Sequence, residues 1–433
     1  MTANTQQPSD DWLDDYPTTP VPESRFTSGF RICLIISAVS FALPNLVAGL
    51  ELGSRLGVGT SLAAFLTGGL VLALISFVTG LVGTLNRLSS YMIIQFVFGR
   101  QGAKLVNLMF AVAMLGWFGI NIDLLSQALI SIFEAGEKSV WLFEVTGGAI
   151  ITITTLFGVR LINGLSTLFV PVLVAVCLYL LSQVLGAGND PVVPSTAQEP
   201  LTYGEAVSAV VGGLIVGSVL LPDFTRFIRK PSHMWLVAAV PFLIVEPFVL
   251  TIAAISGEVT GESDALTMML AMGLGWGAFL LVIMSSWILN SMNLYSCSLS
   301  VASVFPRGTE WKQVVILGIA GTLAASFNLL DYLVTFLFYL AITFAPVAGI
   351  YVVDFFLLRR CRPYDVSRLS SIDSVNWAAI VAWGFGIWAS ILSAEMGISL
   401  TTIEACDAVL SSMVVYGVMS ELMKKVSGKE LSV

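Results

Sequence analysis

Trp117 and Asn121 lie in the run Met114-Leu115-Gly116-Trp117-Phe118-Gly119-Ile120-Asn121-Ile122-Asp123, and a separation of four residues puts both on one helix face. An indole with an amide one turn away can stack on a flat heterocycle and hydrogen-bond its edge, base-aromatic stacking being worth roughly 1 to 3 kcal/mol. The alternative is packing, with Asn121 tying two helices together. A second polar stripe, Ser286, Asn290 and Asn293, falls at spacings of four and three in an otherwise apolar run. In a helix at membrane depth such a stripe turns inward. There it serves either solute contact or helix-helix bonding.

Three carboxylates also fall inside or at the ends of apolar runs: Glu246 beside Pro247, Asp123 two residues past Asn121, and Glu51. A charge near the centre of a membrane span costs roughly 2.5 to 3.5 kcal/mol on insertion scales, so a carboxylate there needs a reason. Glu246 and Asp123 are the candidates to carry a proton, with a structural hydrogen bond as the other reading of Glu246. Glu51 sits near an outer end and is expected to be wetted. Catalysis has no comparable residues. The only histidine, His233, follows Pro231 at an interface and is expected to be structural, and the five cysteines show no paired spacing of the zinc or redox type. No catalytic residue, metal site or cofactor is expected.

Two stretches mark where the helices that position these groups should be interrupted. Ala42-Leu43-Pro44-Asn45-Leu46-Val47-Ala48-Gly49 sets a proline and an asparagine in mid-membrane, where proline removes a backbone donor. Val210-Val211-Gly212-Gly213-Leu214-Ile215-Val216-Gly217 carries paired glycines, each lowering helix stability by roughly 1 kcal/mol relative to alanine. Backbone groups freed in lipid must find protein, water or ligand, so such breaks face a cavity. Five spans separate the two. Because five is odd, the second set crosses in the opposite sense, the geometry of an inverted repeat with a solute site at the midplane.

The spans are read near residues 29 to 50, 58 to 84, 103 to 133, 139 to 159, 161 to 186, 204 to 225, 233 to 257, 268 to 303, 311 to 330, 333 to 358, 375 to 394 and 400 to 423, each of about the length a helix needs to cross. The expected fold is therefore an all-α polytopic membrane protein of 12 transmembrane helices. Helices 1 and 6 would be discontinuous in a five-plus-five inverted repeat over 29–358. Two extra spans and a cytoplasmic tail fill 359–433, and a disordered cytoplasmic arm 1–28. Composition agrees, with 56% hydrophobic and 11% charged residues and a mean hydropathy of +0.90. Of 20 basic residues, all but Arg55 and Lys138 fall on one side of this topology, which puts both termini in the cytoplasm. The net charge of -8 comes largely from outward loops and the acidic arm (Asp10, Asp11, Asp14, Asp15, Glu23), and implies no nucleic-acid partner.

The chain resembles the nucleobase:cation symporter family and within it is similar to the bacterial cytosine permeases. The resemblance rests on Gly116-Trp117-Phe118-Gly119, on Asp223-Phe224-Thr225-Arg226-Phe227, on Trp287 with Asn290 and Leu294-Tyr295, and on Ala345-Pro346-Val347-Ala348-Gly349 running to Asp354 and Arg359-Arg360. It implies an inner-membrane symporter, not an enzyme, that takes a planar heterocycle with a coupling cation by alternating access. Cytosine is the first expectation. A purine, allantoin, hydantoin or hydroxymethylpyrimidine permease, or an amino-acid permease of the same fold, is the alternative. It further implies that Trp117 stacks on the base, that Asn121 and Asn290 bond its edge, that the backbone around Gly213 and Leu214 lines the opposite wall, and that Asn45 contributes. Three departures bear on this. Leu214 stands where cytosine permeases place an aromatic, Val216 replaces a hydroxyl, and Ile288-Leu289 replaces the hydroxyl pair that helps coordinate sodium. Hydrocarbon side chains do not ligate a hard cation. A proton is therefore expected in place of sodium. Asp223 with Arg226, and the Asp354 to Arg362 cluster, are expected to be interfacial ion pairs without a substrate role.

Overall fold

Apolar runs of this length can satisfy their backbone in lipid only as helices or as a closed barrel. The computed structural model takes the helical solution. It describes residue 16 and residues 19–133, 136–186, 201–305, 309–327 and 332–427, and among these the only strand-like feature is an isolated bridge between Thr27 and Ile228. Among the described residues nine helices are long and apolar enough to cross a membrane, and Gly29–Ser40 with Leu43–Leu56, bent by 53°, makes one further broken span. The expected fourth and ninth spans are shorter than anticipated. Val140–Thr155 has 16 residues and Glu310–Ala324 has 15, about 24 and 22 Å of helix against a hydrocarbon core of about 30 Å. The end of the ninth, 328 to 330, lies outside the described residues.

Two other boundaries move. The run 268 to 303 is divided: Ala265–Ala271 is a separate short helix and the long one starts at Trp276, because Gly273 and Gly275 take positive φ between them. The arm expected to be disordered over 1 to 28 is ordered in its second half. Val21 donates its N–H to the Arg87 carbonyl and Thr27 to that of Phe227, which ties this stretch to the C-terminal ends of spans two and six. Residues 1 to 15, 17 and 18 lie outside the described residues. His233 plays the structural part expected of it, accepting the Gly29 N–H at Nδ1 (3.1 Å) where span one begins.

Span one is broken at a Leu-Pro pair, and span six, continuous as a span, turns near its C-terminal end at another. In span one the break falls at Phe41-Ala42, just ahead of Leu43-Pro44, near the position expected. In span six the helix runs unbroken through Gly212-Gly213 to Val219 and turns at Leu220-Leu221, ahead of Pro222. This corrects the expected site of the second break. The glycine pair costs only roughly 2 kcal/mol of propensity, and Gly212 is there for close packing: a methyl group on it would sit 2.7 Å from the Leu337 carbonyl carbon of span ten. Pro222, by contrast, has no N–H for the Ser218 carbonyl four residues back. That carbonyl accepts from Thr79 Oγ1 (2.6 Å) and the next, Val219, from Tyr351 Oη (2.7 Å), so neighbouring spans two and ten repair the break.

Packing follows a regular exchange. The second half of span one packs on span seven as span six packs on span two; span one packs on span five as span six packs on span ten; three pairs with eight and four with nine. Each pairing maps onto another, or onto itself, when a span is replaced by the one five places along. Spans eleven and twelve pack on each other and on span ten.

Candidate functional site

The break in span one builds the site's polar edge. Without a Pro44 N–H, the Ser40 carbonyl has no helical donor, and Asn45 reaches back to it with Nδ2 (3.2 Å) and to the Val39 carbonyl (3.3 Å). The same amide nitrogen lies 3.2 Å from Glu246 Oε2 on span seven. Glu246 is itself placed by an irregularity, since Val240–Val245 forms a π-helical turn and the α-helix resumes at Glu246-Pro247. Such turns recur at functional sites because they rotate the residues that follow.

Around this junction lies a cavity of about 70 Å³. Span one supplies Ile36, Val39, Pro44 and Asn45, and span three Met114 and Trp117. Span six adds Gly213, Leu214, Gly217, Leu220 and Phe224, and Phe242 enters from the π turn of span seven. Span eight presents Leu289, Met292, Asn293 and Ser296. Trp117 is held edge-on against Phe336, ring centroids 5.4 Å apart and planes at 72°, leaving the indole fixed at the cavity wall. Gly213 has open space where a Cβ would stand, so its backbone is a wall a ligand can approach. A smaller space of about 10 Å³ shares Pro44, Asn45, Trp117 and Gly213 with the first and reaches Glu246.

Four of the six expected contact residues, Trp117, Gly213, Leu214 and Asn45, thus meet at one cavity. Two do not. Asn121 is fully buried behind it, donating Nδ2 to the Trp117 carbonyl (2.8 Å) while its side-chain oxygen has no donor. Asn290 is likewise buried, with Nδ2 3.4 Å from the Phe118 carbonyl and its oxygen 3.5 Å from Asn293 Nδ2. The rotation of span eight brings Asn293 and Ser296 to the cavity instead. Of the two carboxylates, Glu246 adjoins the site, whereas Asp123 is engaged by Gln127 Nε2 (2.8 Å) away from both cavities.

The pair expected at the interface is buried within the protein, beside the N-terminal arm. Asp223 and Arg226 are both 0% exposed. Asp223 accepts from the Ser90 N–H (2.9 Å) and from Ser296 Oγ (3.3 Å), and Arg226 donates to the carbonyls of Asp223 (3.0 Å) and Tyr16 (2.7 Å) and to Tyr295 Oη (2.9 Å). Since Ser296 and Phe224 line the cavity, this network closes it toward the basic face. A buried charged group persists only when its bonds are made, and the turn at Pro222 places both residues among these partners. Asp354 is buried too, accepting from Tyr364, Tyr416 and Arg359 at 2.9 Å each, which pins spans ten and twelve together.

The site can therefore receive a flat, mostly apolar solute with a few polar edge atoms: one indole wall, two further phenylalanines, and Asn45, Asn293 and Ser296 as hydrogen-bonding groups. Comparison with known proteins agrees in kind. The family described as permease for cytosine/purines, uracil, thiamine, allantoin matches residues 20–415. The cytosine permease of Escherichia coli strain K12 is 26% identical over 415 residues, 95% of this chain and 96% of that one. The hydantoin permease of Microbacterium maritypicum is 25% identical over 410 residues, 86% and 83% of the two chains. Among solved structures, Mhp1, a nucleobase-cation-symport-1 family transporter in a closed conformation with bromovinylhydantoin bound, superposes with a TM-score of 0.84 at 21% identity over 96% of each chain. A Na+-coupled sialic acid symporter gives 0.69 at 12% identity, over 96% of this chain and 93% of that one, a likeness of fold alone. With a match running from the ordered part of the N-terminal arm into the last span, the chain belongs to the family of permeases for cytosine/purines, uracil, thiamine and allantoin.

Proposed function

We propose that this protein is a secondary transporter, not an enzyme, that imports a nucleobase across the inner membrane with both termini in the cytoplasm, cytosine being the first candidate. The observation that carries the reading is the cavity at the bend of span one, with Trp117 for a wall and Asn45, Asn293 and Ser296 at its edge. Family relatives named for cytosine and for hydantoin, both flat rings with alternating donors and acceptors, support a planar heterocycle. In this scheme Trp117 stacks on the ring, Gly213 and Leu214 form the facing wall, and Phe224 or Phe242 supplies the second aromatic surface that Leu214 withholds. Asn293 and Ser296 take the edge-binding part expected of Asn121 and Asn290, which instead set the angle of Trp117 and Asn293 from behind.

A proton is the coupling ion we favour over sodium. Leu289 lines the cavity where an oxygen ligand would be needed, and Glu246 lies one hydrogen bond from the broken helix. Asp123, held by Gln127 outside both cavities, is the weaker candidate. A carboxylate that gains a proton loses its charge-assisted bond to Asn45, so protonation and the shape of the break are linked. The test is uptake of labelled cytosine, uracil, adenine, hypoxanthine, allantoin and an amino-acid control into proteoliposomes. Imposed pH and sodium gradients are varied separately. Cytosine uptake driven by external acid, and indifferent to sodium, is the expected result; Glu246→Gln should bind cytosine yet lose the response to the pH gradient. Uptake that follows sodium and ignores pH would end the proton scheme, and uptake of the amino acid alone would end the heterocycle reading.

A further inference from the structure

The hydrogen-bond polarity of the cavity edge is set by groups that can only accept. Asn45 lines the cavity, and its Nδ2 lies against the carbonyls of Val39 (3.3 Å) and Ser40 (3.2 Å) and against Glu246 Oε2 (3.2 Å). A carbonyl has no hydrogen to give, so this amide cannot be turned the other way. The two backbone carbonyls alone occupy both amide hydrogens, whatever the charge on Glu246, and what remains for a ligand is the Asn45 oxygen. On span eight the same constraint passes through two residues. The Phe118 carbonyl takes Nδ2 of Asn290 (3.4 Å), which turns the Asn290 oxygen to Asn293 Nδ2 (3.5 Å) and leaves the Asn293 oxygen for the cavity that this residue lines. Ser296 spends its one hydrogen on Asp223 Oδ2 (3.3 Å) and offers the cavity only lone pairs.

Asn45, Asn293 and Ser296 thus present acceptors to one space. Against them stand the second N–H of Asn293 and the indole N–H of Trp117. A buried acceptor left unmet is costly, so the ligand must bring hydrogens. Resting on the substrate-site reading above, we infer that the cavity recognises its heterocycle through N–H groups: a ring bearing two or more of them, as lactam or amine, turned toward spans one and eight, with its carbonyls carrying less of the binding. Asp223 acts here as a positioning residue, fixing the polarity of Ser296 without touching the ligand. In Asp223→Asn the Ser90 N–H still needs an acceptor, so the new amide nitrogen turns to Ser296, whose hydrogen is then released to the cavity.

Equilibrium competition against labelled cytosine on the purified full-length protein tests this with three analogues: cytosine methylated at its ring N–H, cytosine dimethylated at its amino group, and the thiocarbonyl analogue, which keeps every N–H and weakens only the carbonyl as an acceptor. Each alkylated analogue should bind about 10-fold more weakly than cytosine, the usual loss when one hydrogen bond goes and its buried partner is stranded. The thio analogue should stay within about 3-fold. Because a methyl group also takes up space, two variants separate polarity from size. Ser296→Ala should weaken cytosine about 10-fold yet leave one alkylated analogue unchanged, since the bond removed is already missing there. Asp223→Asn should do the same, whereas a merely structural role would weaken every ligand alike. Alkylated analogues that bind like cytosine, a thio analogue that loses as much as they do, or uniform weakening by Ser296→Ala would each overturn the inference and leave the transporter reading standing. Absence of cytosine binding would overturn the substrate reading, and this inference with it.

Discussion

At the scale of single residues, Trp117 is the group on which recognition of a flat ring depends. It is 7% exposed, braced by Phe336, and its indole borders both cavities. Trp117→Ala should weaken heterocycle binding about 5- to 150-fold, the equivalent of roughly 1 to 3 kcal/mol of stacking, while Trp117→Phe keeps most of it. Equilibrium binding on detergent-purified protein, with an unchanged elution profile as the folding control, reads this directly; alanine binding as tightly as tryptophan would remove the stacking role. How far these residues were legible depended on what each signal measured. Trp117 and the Asn45 break could be read because an indole one turn from an amide, and a proline in mid-span, are unusual inside apolar helices. Asn290 and Asn293 could not be told apart. Three residues turn a helix by about 300°, so both sit on one stripe, and only packing against span three decides which edge of it meets the cavity. Phe224 and Phe242 gave no signal at all, being aromatic residues among many whose approach is set by the turn at Pro222 and the π turn of span seven.

At the scale of helices, the two adjacent glycines of span six do different work, which composition alone concealed. Gly212 is in contact with the backbone of span ten, and Gly213 faces the cavity with nothing within 4 Å of the place a Cβ would occupy. Gly212→Ala should therefore force spans six and ten apart and lower stability by about 1 to 3 kcal/mol, the usual cost of overpacking. Gly213→Ala should leave stability unchanged or raise it by up to about 1 kcal/mol, through better helix propensity, while narrowing the binding space. Melting temperatures of the two purified variants separate the roles, and equal destabilisation would contradict them. The sequence did contain the true marker of the second break. Leu43-Pro44-Asn45 and Leu221-Pro222-Asp223 are the same pattern, a leucine and a proline followed by a short polar side chain. Propensity drew attention to the glycines because a missing Cβ costs helix stability everywhere, but a missing N–H leaves a specific carbonyl unserved, and it is that carbonyl which the neighbouring spans must satisfy.

At the scale of the whole molecule, the two Leu-Pro turns are related by the same exchange that orders the packing. Asn45 of span one bonds to Glu246 of span seven, and Asp223 of span six bonds to Ser90, just past the end of span two. The first turn thus grips span seven and the second the separate helix Ser90–Phe98 that follows span two, and in the proposed alternating access one grip loosens while the other holds. The grip at Asp223 closes the cavity toward the basic face, and Arg226 locks it through Tyr295 on span eight. Moving span six against span eight must break that bond. A hydrogen bond to a charged group is worth about 1.5 to 3 kcal/mol when its loss leaves the charge buried, and a bond present only in the closed state biases the equilibrium by its full value. Tyr295→Phe should then raise the population open to the basic face about 10- to 150-fold, provided that state is initially rare. A cysteine placed at Leu220, in a chain also carrying Cys361→Ser to silence the exposed native thiol, reports the change through its rate of alkylation by a membrane-impermeant maleimide added to the cytoplasmic side of inside-out vesicles. Faster labelling with Tyr295→Phe, reversed by saturating cytosine if the substrate-bound form is the closed one, is the expected outcome; labelling that ignores the hydroxyl would mean that Arg226 holds the fold together without gating it.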